Sequence, residues 1–326
     1  MGICASSSSS LIHDDNFGHE NAVYHTEITT SNTNNGSQRR IGSTYSHTGS
    51  KGLNQDTAIL FQGYGNEKGV YCGIYDGHGQ NGHVVSKMVR NRLPALILSQ
   101  MTEKFGSGDQ SGLSIINLVK WKEACMSSFK VVDKEIKLVD GLDCSCSGST
   151  AVVVIKQGED LVVANLGDSR AVLGTRSEDG IMAVQLTTDL KPGVKSEAER
   201  IRRLNGRVVA LEAEPHIQRV WLPYENSPGL AMSRAFGDFV LKNHGIICIP
   251  DVTYHRLTPN DEFIVLASDG VWDVMSNNEV MGVVSSSAHN EEAAAKAVVD
   301  AAIASWKHKF PNSKRDDCTA ICLFLQ

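Results

Sequence analysis

The stretch Gly73-Ile74-Tyr75-Asp76-Gly77-His78-Gly79 decides how the chain is read. A β-branched and aromatic run, Val70 to Tyr75, stops at an acid, a glycine, an imidazole and a second glycine. Strand formers followed by two glycines read as a strand delivering its last side chain to a rim. Without side chains, Gly77 and Gly79 let an ion or a phosphate approach the backbone. Asp76 offers carboxylate oxygens, Gly77 a carbonyl, and His78 a proton donor that titrates near neutrality. Alone, the stretch fits an ordinary Asp-Gly turn better. Four other acids in similar settings change that reading.

Working outward, Asp56 precedes the apolar run Thr57 to Phe61, and a turn with Gly63, Gly65 and Asn66 leads back to Val70. In such a hairpin the residue before the first strand and the residue after the second lie at the same end, so Asp56 and Asp76 are predicted neighbours. Strands over Ala151 to Ile155 and Leu161 to Asn165 end near Asp168. Phe263 to Ala267 ends at Ser268-Asp269, and Arg315-Asp316-Asp317 precedes a last strand, Thr319 to Leu325. Five acids thus flank strands at their ends. Gathered together they repel one another unless cations neutralise them. An all-oxygen set suits Mg²⁺ or Mn²⁺ and not zinc. Two such ions about 3.5–4 Å apart can activate a water while clamping a phosphoryl oxygen. The acids by themselves leave two readings open, a two-metal phosphohydrolase and solvated strand-end acids.

Helical spacing recurs over Val84 to Ile97 and over Ile115 to Val139, with Gly106 to Gly112 as the break between them. Ser196-Glu197-Ala198-Glu199 reads as a capping box opening a short helix that Gly206 ends. Val208 to Glu225 reads as a flap, and Glu291 to Trp306 as an alanine-rich helix. Hairpins in place of crossovers, alternating with helices, argue for mainly antiparallel sheets carrying helices in one domain from residue 41 to 326.

The chain has 326 residues, 41% hydrophobic and 21% charged, enough for one sizeable core. Its net charge of −6, without a basic block, argues against nucleic acid as a partner. No apolar run approaches the roughly 20 residues that span a bilayer. Eight cysteines without a CxxC pair read as reduced thiols of a cytosolic protein. Met1-Gly2-Ile3-Cys4-Ala5-Ser6 fits myristoylation of Gly2, and Cys4 could take a second acyl chain. Two chains hold a soluble protein at a membrane where one does so only marginally. Residues 1–40, polar and poor in anything to bury, read as a disordered tether. The expected location is the cytoplasmic face of the plasma membrane, with a cytosolic pool.

Eight segments, in order, resemble the metal-dependent serine/threonine protein phosphatases of the 2C (PPM) family, plant members most of all. They are Asn54-Gln55-Asp56, Tyr75 to Gly79, Ser147 to Ala151, Asn165 to Arg170, Asp189 to Pro192, residues 230–238, Asp269 to Asp273, and Asp316-Asp317. The resemblance implies an α+β fold, an αββα four-layer sandwich of two antiparallel sheets between helix layers. It implies that Asp76 bridges two Mg²⁺ or Mn²⁺ ions, that the Gly77 carbonyl binds the first, and that Asp269 and Asp316 bind the second. Asp56 would act through bound waters, and Asp168 with Asp269 and Asp273 would take a weaker third ion. His78 would protonate the leaving serine or threonine oxygen while an activated water attacks phosphorus, with no phospho-enzyme.

Three departures from the family pattern stand out. Gln55 stands where many members have Glu, and Asp317 where Asn is usual. Lys51 replaces a phosphate-binding Arg, keeping its charge but not its bidentate fork. Abscisic-acid-regulated members carry a Trp shortly after the Lys matching Lys242; here Asn243 and His244 follow, so those receptors are not expected partners. Phosphoproteins are the implied substrates and a monomer the implied state. A feeble phosphatase-fold decoy that binds phosphoproteins is the alternative, though a decoy has no need of Asp76, Asp269 and Asp316.

Overall fold

The computed structural model describes residues 23–27, 41–105, 115–287 and 290–325. Two sheets form its centre. The first runs Val23–Glu27, Asp56–Gln62, Val70–His78, Ala151–Gln157, Asp160–Leu166, Asp251–Arg256. Its ladders are antiparallel except the first, where Val23–Glu27 pairs parallel with Asp56–Gln62. The second is antiparallel throughout: Gly42–His47, Cys318–Phe324, Asp261–Ala267, Arg170–Ser177, Gly180–Gln185.

Side-chain alternation along Val70–His78 explains its continuous apolar run. Val70, Cys72 and Ile74 point into the space between the sheets, with Val152, Val154, Leu266 and Ile321. Tyr71 and Tyr75 point the other way, onto the helices Gly82–Phe105 and Ile115–Lys137, meeting Val85, Leu93, Phe129 and Ile136. Both faces are covered, so neither can be polar. On the far side, Val172, Val265 and Ala320 of the second sheet pack on the helices Asn277–Ser286 and Ala294–Lys309 through Val280, Val284 and Val298. The layers are α, β, β, α, as expected. Gly73 owes its identity to Tyr75: a Cβ there would lie 2.4 Å from the tyrosine Oη, which bonds Tyr71 Oη at 2.7 Å.

Several local expectations change. A strand, Val23–Glu27, lies inside the segment read as a structureless tether, where it extends the first sheet. The acylation signal at Gly2 and Cys4 and the Gly106–Gly112 break lie outside the described residues. Ser196 to Glu199 is not a capping box: the helix Lys195–Arg203 starts after Val194 with no side-chain cap. Glu197 is instead buried and committed to arginines. Gly206 is not the left-handed terminator; Asn205 takes that conformation, with φ 61°. Gly206 is small because the His244 carbonyl would stand 2.4 Å from a Cβ. Residues 207–225 are a hairpin, Arg207–Leu211 with Glu214–Trp221, on its own small core of Ile201, Val220, Leu230 and Leu241. No helix among the described residues is long and apolar enough to cross a membrane.

Candidate active site

The rim is assembled by strand ends. Asp56 and Asp76 are direct partners across the hairpin, as the hairpin rule requires. The end of Val70–His78 is pinned from the next strand: Asp76 N–H donates to Thr150 Oγ1 at 3.1 Å, and Thr150 N–H to the Asp76 carbonyl at 2.8 Å. Ser268 ties in the second sheet, donating to Asp56 Oδ2 at 2.7 Å and accepting from Thr319 N–H at 3.1 Å. Asp269 opens the helical turn Asp269–Trp272 directly beyond Ser268, and Asp273 closes it. Asp316 lies just before Cys318–Phe324 and pairs with the Lys51 ammonium. Asp317 accepts the Gly49 and Gln55 N–H groups at 2.7 and 2.8 Å, so its charge anchors the loop that carries Lys51. Gln55 Oε1 is buried against Gly82 without a partner.

These carboxylates feel one another. Asp76 is pushed well above the usual carboxylate range by burial, then by the charges of Asp56, Asp269, Asp316 and Asp168. Asp269 is pushed up likewise by burial, then by Asp168, Asp316 and Asp273. Burial, then the charge of Asp317, lifts Asp56 to about 7 despite the Ser268 hydrogen bond. Burial lifts Asp168 to about 6 against the pull of Lys191, whose Nζ lies 3.7 Å from Asp168 and 3.5 Å from Asp273. The other oxygen of Asp168, Oδ1, is buried and unpaired. Arg170 steadies this side, gripping Asp189 with two hydrogen bonds of 2.9 and 2.6 Å and lying 5.0 Å over the Trp272 ring.

Whether the donors suit a divalent ion follows from their chemistry. No three His, Cys, Asp or Glu side chains among the described residues stand ready to hold an ion by themselves. Mg²⁺ does not ask for that; it keeps several waters and takes one or two carboxylates. Mutually repelling carboxylates, a glycine carbonyl and a partnerless buried oxygen fit a hydrated hard cation. Cation-free protein should therefore gain stability on acidification. A carboxyl whose pKa is higher folded than unfolded stabilises the fold below its unfolded value, about 3.9, and loses that contribution as pH rises through its folded value. In chelator, the melting temperature is expected to fall by a few °C from about pH 5 to pH 8 as Asp168 and Asp56 ionise, and the slope to flatten when Mn²⁺ is added. A chelated protein whose melting temperature rises over that interval would contradict this electrostatic account.

His78 is held by a residue that sequence reasoning left without a role. Its Nε2 lies 2.6 Å from Asp238 Oδ2, while its Nδ1 is buried and unbonded. Burial works to lower the imidazole pKa, but the Asp238 charge and hydrogen bond outweigh it and raise it. Asp238 is itself buried and left-handed, φ 49°, with its N–H on the Ser147 carbonyl at 3.0 Å. Next to it, Gly237 N–H donates to Asp133 at 2.9 Å. Gly148 admits the pair: a Cβ there would stand 2.4 Å from Asp238 Oδ2 and 2.8 Å from His78 Nε2. The available sequence signal was Phe236-Gly237-Asp238, another apolar residue running into a glycine and an acid. Glu197 was also missed. Its buried carboxylate takes hydrogen bonds from Arg200, Ser233 and Arg234, which overcome burial and hold it down at about 2.

The family model for protein phosphatase 2C matches residues 30–309, most of the chain. The chain belongs to the protein phosphatase 2C family. It is a serine/threonine protein phosphatase of a metal-dependent class. The match begins within the segment expected to be a tether. Among relatives, "Probable protein phosphatase 2C 72" of Arabidopsis thaliana is 53% identical over all of this chain and 98% of its own length. "Probable protein phosphatase 2C 12" of Oryza sativa is 47% identical over all of this chain and 92% of its own. Among solved structures, the serine-threonine phosphatase 2C from Toxoplasma gondii superposes with a TM-score of 0.78 at 25% identity, over 87% of this phosphatase and 94% of that chain.

Proposed function

We propose that this phosphatase hydrolyses phosphoserine and phosphothreonine in proteins with two Mg²⁺ or Mn²⁺ ions, held by Asp76, the Gly77 carbonyl, Asp269 and Asp316. Asp56 acts through waters, and Asp168, Asp269 and Asp273 take a weaker third ion. When bound, the ions supply an acidified water and neutralise charge on the phosphoryl oxygens. His78 gives its proton to the departing serine or threonine oxygen, and Asp238 keeps the ring aimed. Lys51, at the rim, orients the phosphate with a point charge. One observation carries the reading: Asp56, Asp168, Asp269 and Asp316, from four other segments, gather around Asp76 closely enough to raise the cost of its charge, and Asp76 itself stands two residues before a braced imidazole.

The finer proposals concern where it acts. Acylation of Gly2 and Cys4 holds this monomeric enzyme on the cytoplasmic face of the plasma membrane, leaving a cytosolic pool. Asn243 and His244 in place of a tryptophan let it escape abscisic-acid receptors. The first test is hydrolysis of a phosphothreonine peptide, expected with Mn²⁺ and lost in excess EDTA. Turnover undiminished by EDTA would end the two-metal reading. Mass spectrometry of the N-terminal peptide from plant cells, with Gly2→Ala as control, tests the tether; an unmodified Gly2 would remove it.

A further inference from the structure

Away from the acids, the hairpin 207–221 meets the end of the helix Lys195–Arg203 in an open groove of about 610 Å³. Arg202, Val209, Pro223, Tyr224 and His244 line it, and no carboxylate among the described residues does. Tyr224 is 98% exposed and Val209 49%. The Arg202 guanidinium has no partner among the described residues. The lip is nevertheless built firmly. Arg207 donates to the Leu222 and Glu225 carbonyls at 2.9 and 2.5 Å and to Asn226 at 3.0 Å, which fixes the turn that presents Tyr224. His244 is drawn against the helix end, its Nδ1 3.2 Å from the Leu204 carbonyl. A helix dipole alone accounts for a cation in the last helical turn. It does not account for an open groove beside it, nor for a tyrosine left almost wholly in water on a fixed turn.

Resting on the reading of the chain as a phosphoprotein phosphatase, we propose that this groove docks an acidic segment of the substrate, its carboxylates toward Arg202 and an apolar side chain against Val209 and Tyr224. Tyrosine and arginine are the residue types that most often anchor interfaces. A cationic groove free of acids on a chain of net charge −6 is complementary to carboxylates. Its place sets the spacing. His244 follows Asp238 by two consecutive turns, Leu241 N–H to the Asp238 carbonyl and His244 N–H to the Leu241 carbonyl, each 2.9 Å. Asp238 pairs with His78. Six residues at no more than ~3.8 Å each keep the groove within ~23 Å of that corner. An extended peptide covers this in about seven residues. The acidic segment therefore lies within about seven positions of the phosphorylated residue.

The test compares two phosphothreonine peptides that differ only in one flank, Asp/Glu-rich with a leucine or the Asn/Gln equivalent. The native chain with Mn²⁺ should favour the acidic flank by ~10-fold in kcat/KM, through KM, with the preference shrinking as NaCl is added. Arg202→Glu should abolish or invert it, and Tyr224→Ser should weaken it several-fold. Hydrolysis of p-nitrophenyl phosphate, too small to reach the groove, should be unchanged in both variants and shows that they are folded. Equal kcat/KM for the two flanks in the native chain, or a preference intact in both variants, would overturn the docking site. So would Arg202-dependent binding to phosphatidylserine vesicles with peptide selectivity unaltered, which would assign the groove to a membrane. Absence of Mn²⁺-dependent turnover on every substrate would instead strike the catalytic reading.

Discussion

Asp76→Asn is expected to keep the fold, lose phosphopeptide turnover by on the order of 10³-fold or more, and melt at a higher temperature in chelator than the native chain. Activity and stability move in opposite directions here for one electrostatic reason. Asp76 sits among Asp56, Asp269, Asp316 and Asp168, each of which raises the cost of its charge. Removing that charge relieves the cation-free protein and deprives divalent ions of the carboxylate common to both proposed positions. Charge stabilisation in a preorganised site is commonly worth 10²–10³ per interaction, and loss of an ion removes more than one. Scanning calorimetry in EDTA, Mn²⁺ titration by calorimetry, and peptide kinetics read the three effects separately. Turnover within tenfold of native, or Mn²⁺ binding of native strength, would remove Asp76 from the centre of the site.

His78→Ala should separate substrates by leaving group. Serine and threonine oxygens leave as strongly basic alkoxides unless protonated, so positioned acid catalysis matters most for them. A loss of about 10²–10⁴-fold is expected on phosphothreonine peptides, where general acids typically act in this range. For p-nitrophenyl phosphate, whose phenolate needs no proton, the loss should stay under about tenfold. Asp238→Asn should reproduce part of this split, because Asp238 lies 2.6 Å from the ring and aims it. Equal losses on both substrates would count against an acid role for His78 and make it a structural or ion-organising residue.

Much of this was legible along the chain. The hairpin rule placed Asp56 beside Asp76 because antiparallel pairing fixes which residues meet, and the register bears this out. The helix-covered antiparallel sheets followed from hairpins alternating with helical spacing. Strand ends flagged the acids one by one, since each strand advertises its own end in apolar-to-polar contrast. Reading went wrong where a local pattern did not fix its element's end. Ser196 and Glu199 have the letters of a capping box, yet the helix starts earlier, after Val194, which puts Ser196 inside its first turn and not at its cap. Within the spacing read over Ile115 to Val139, Val119 is 50% exposed, and Val139, beyond the helix end at Lys137, is 38% exposed. Apolar spacing does not reveal how wide a covering layer is.

The sequence by itself determined the strand–glycine–acid segments, the antiparallel architecture and the family, because these depend on neighbours a few residues apart and on motif order. Only the tertiary structure decided that Asp238 braces His78 from 160 residues away, that Asp317 spends its charge on the Gly49 and Gln55 amides, and that Arg202 and Tyr224 share an open groove. Those pairings arise when separate turns are packed against one another, and no periodicity along the chain records which turns will meet.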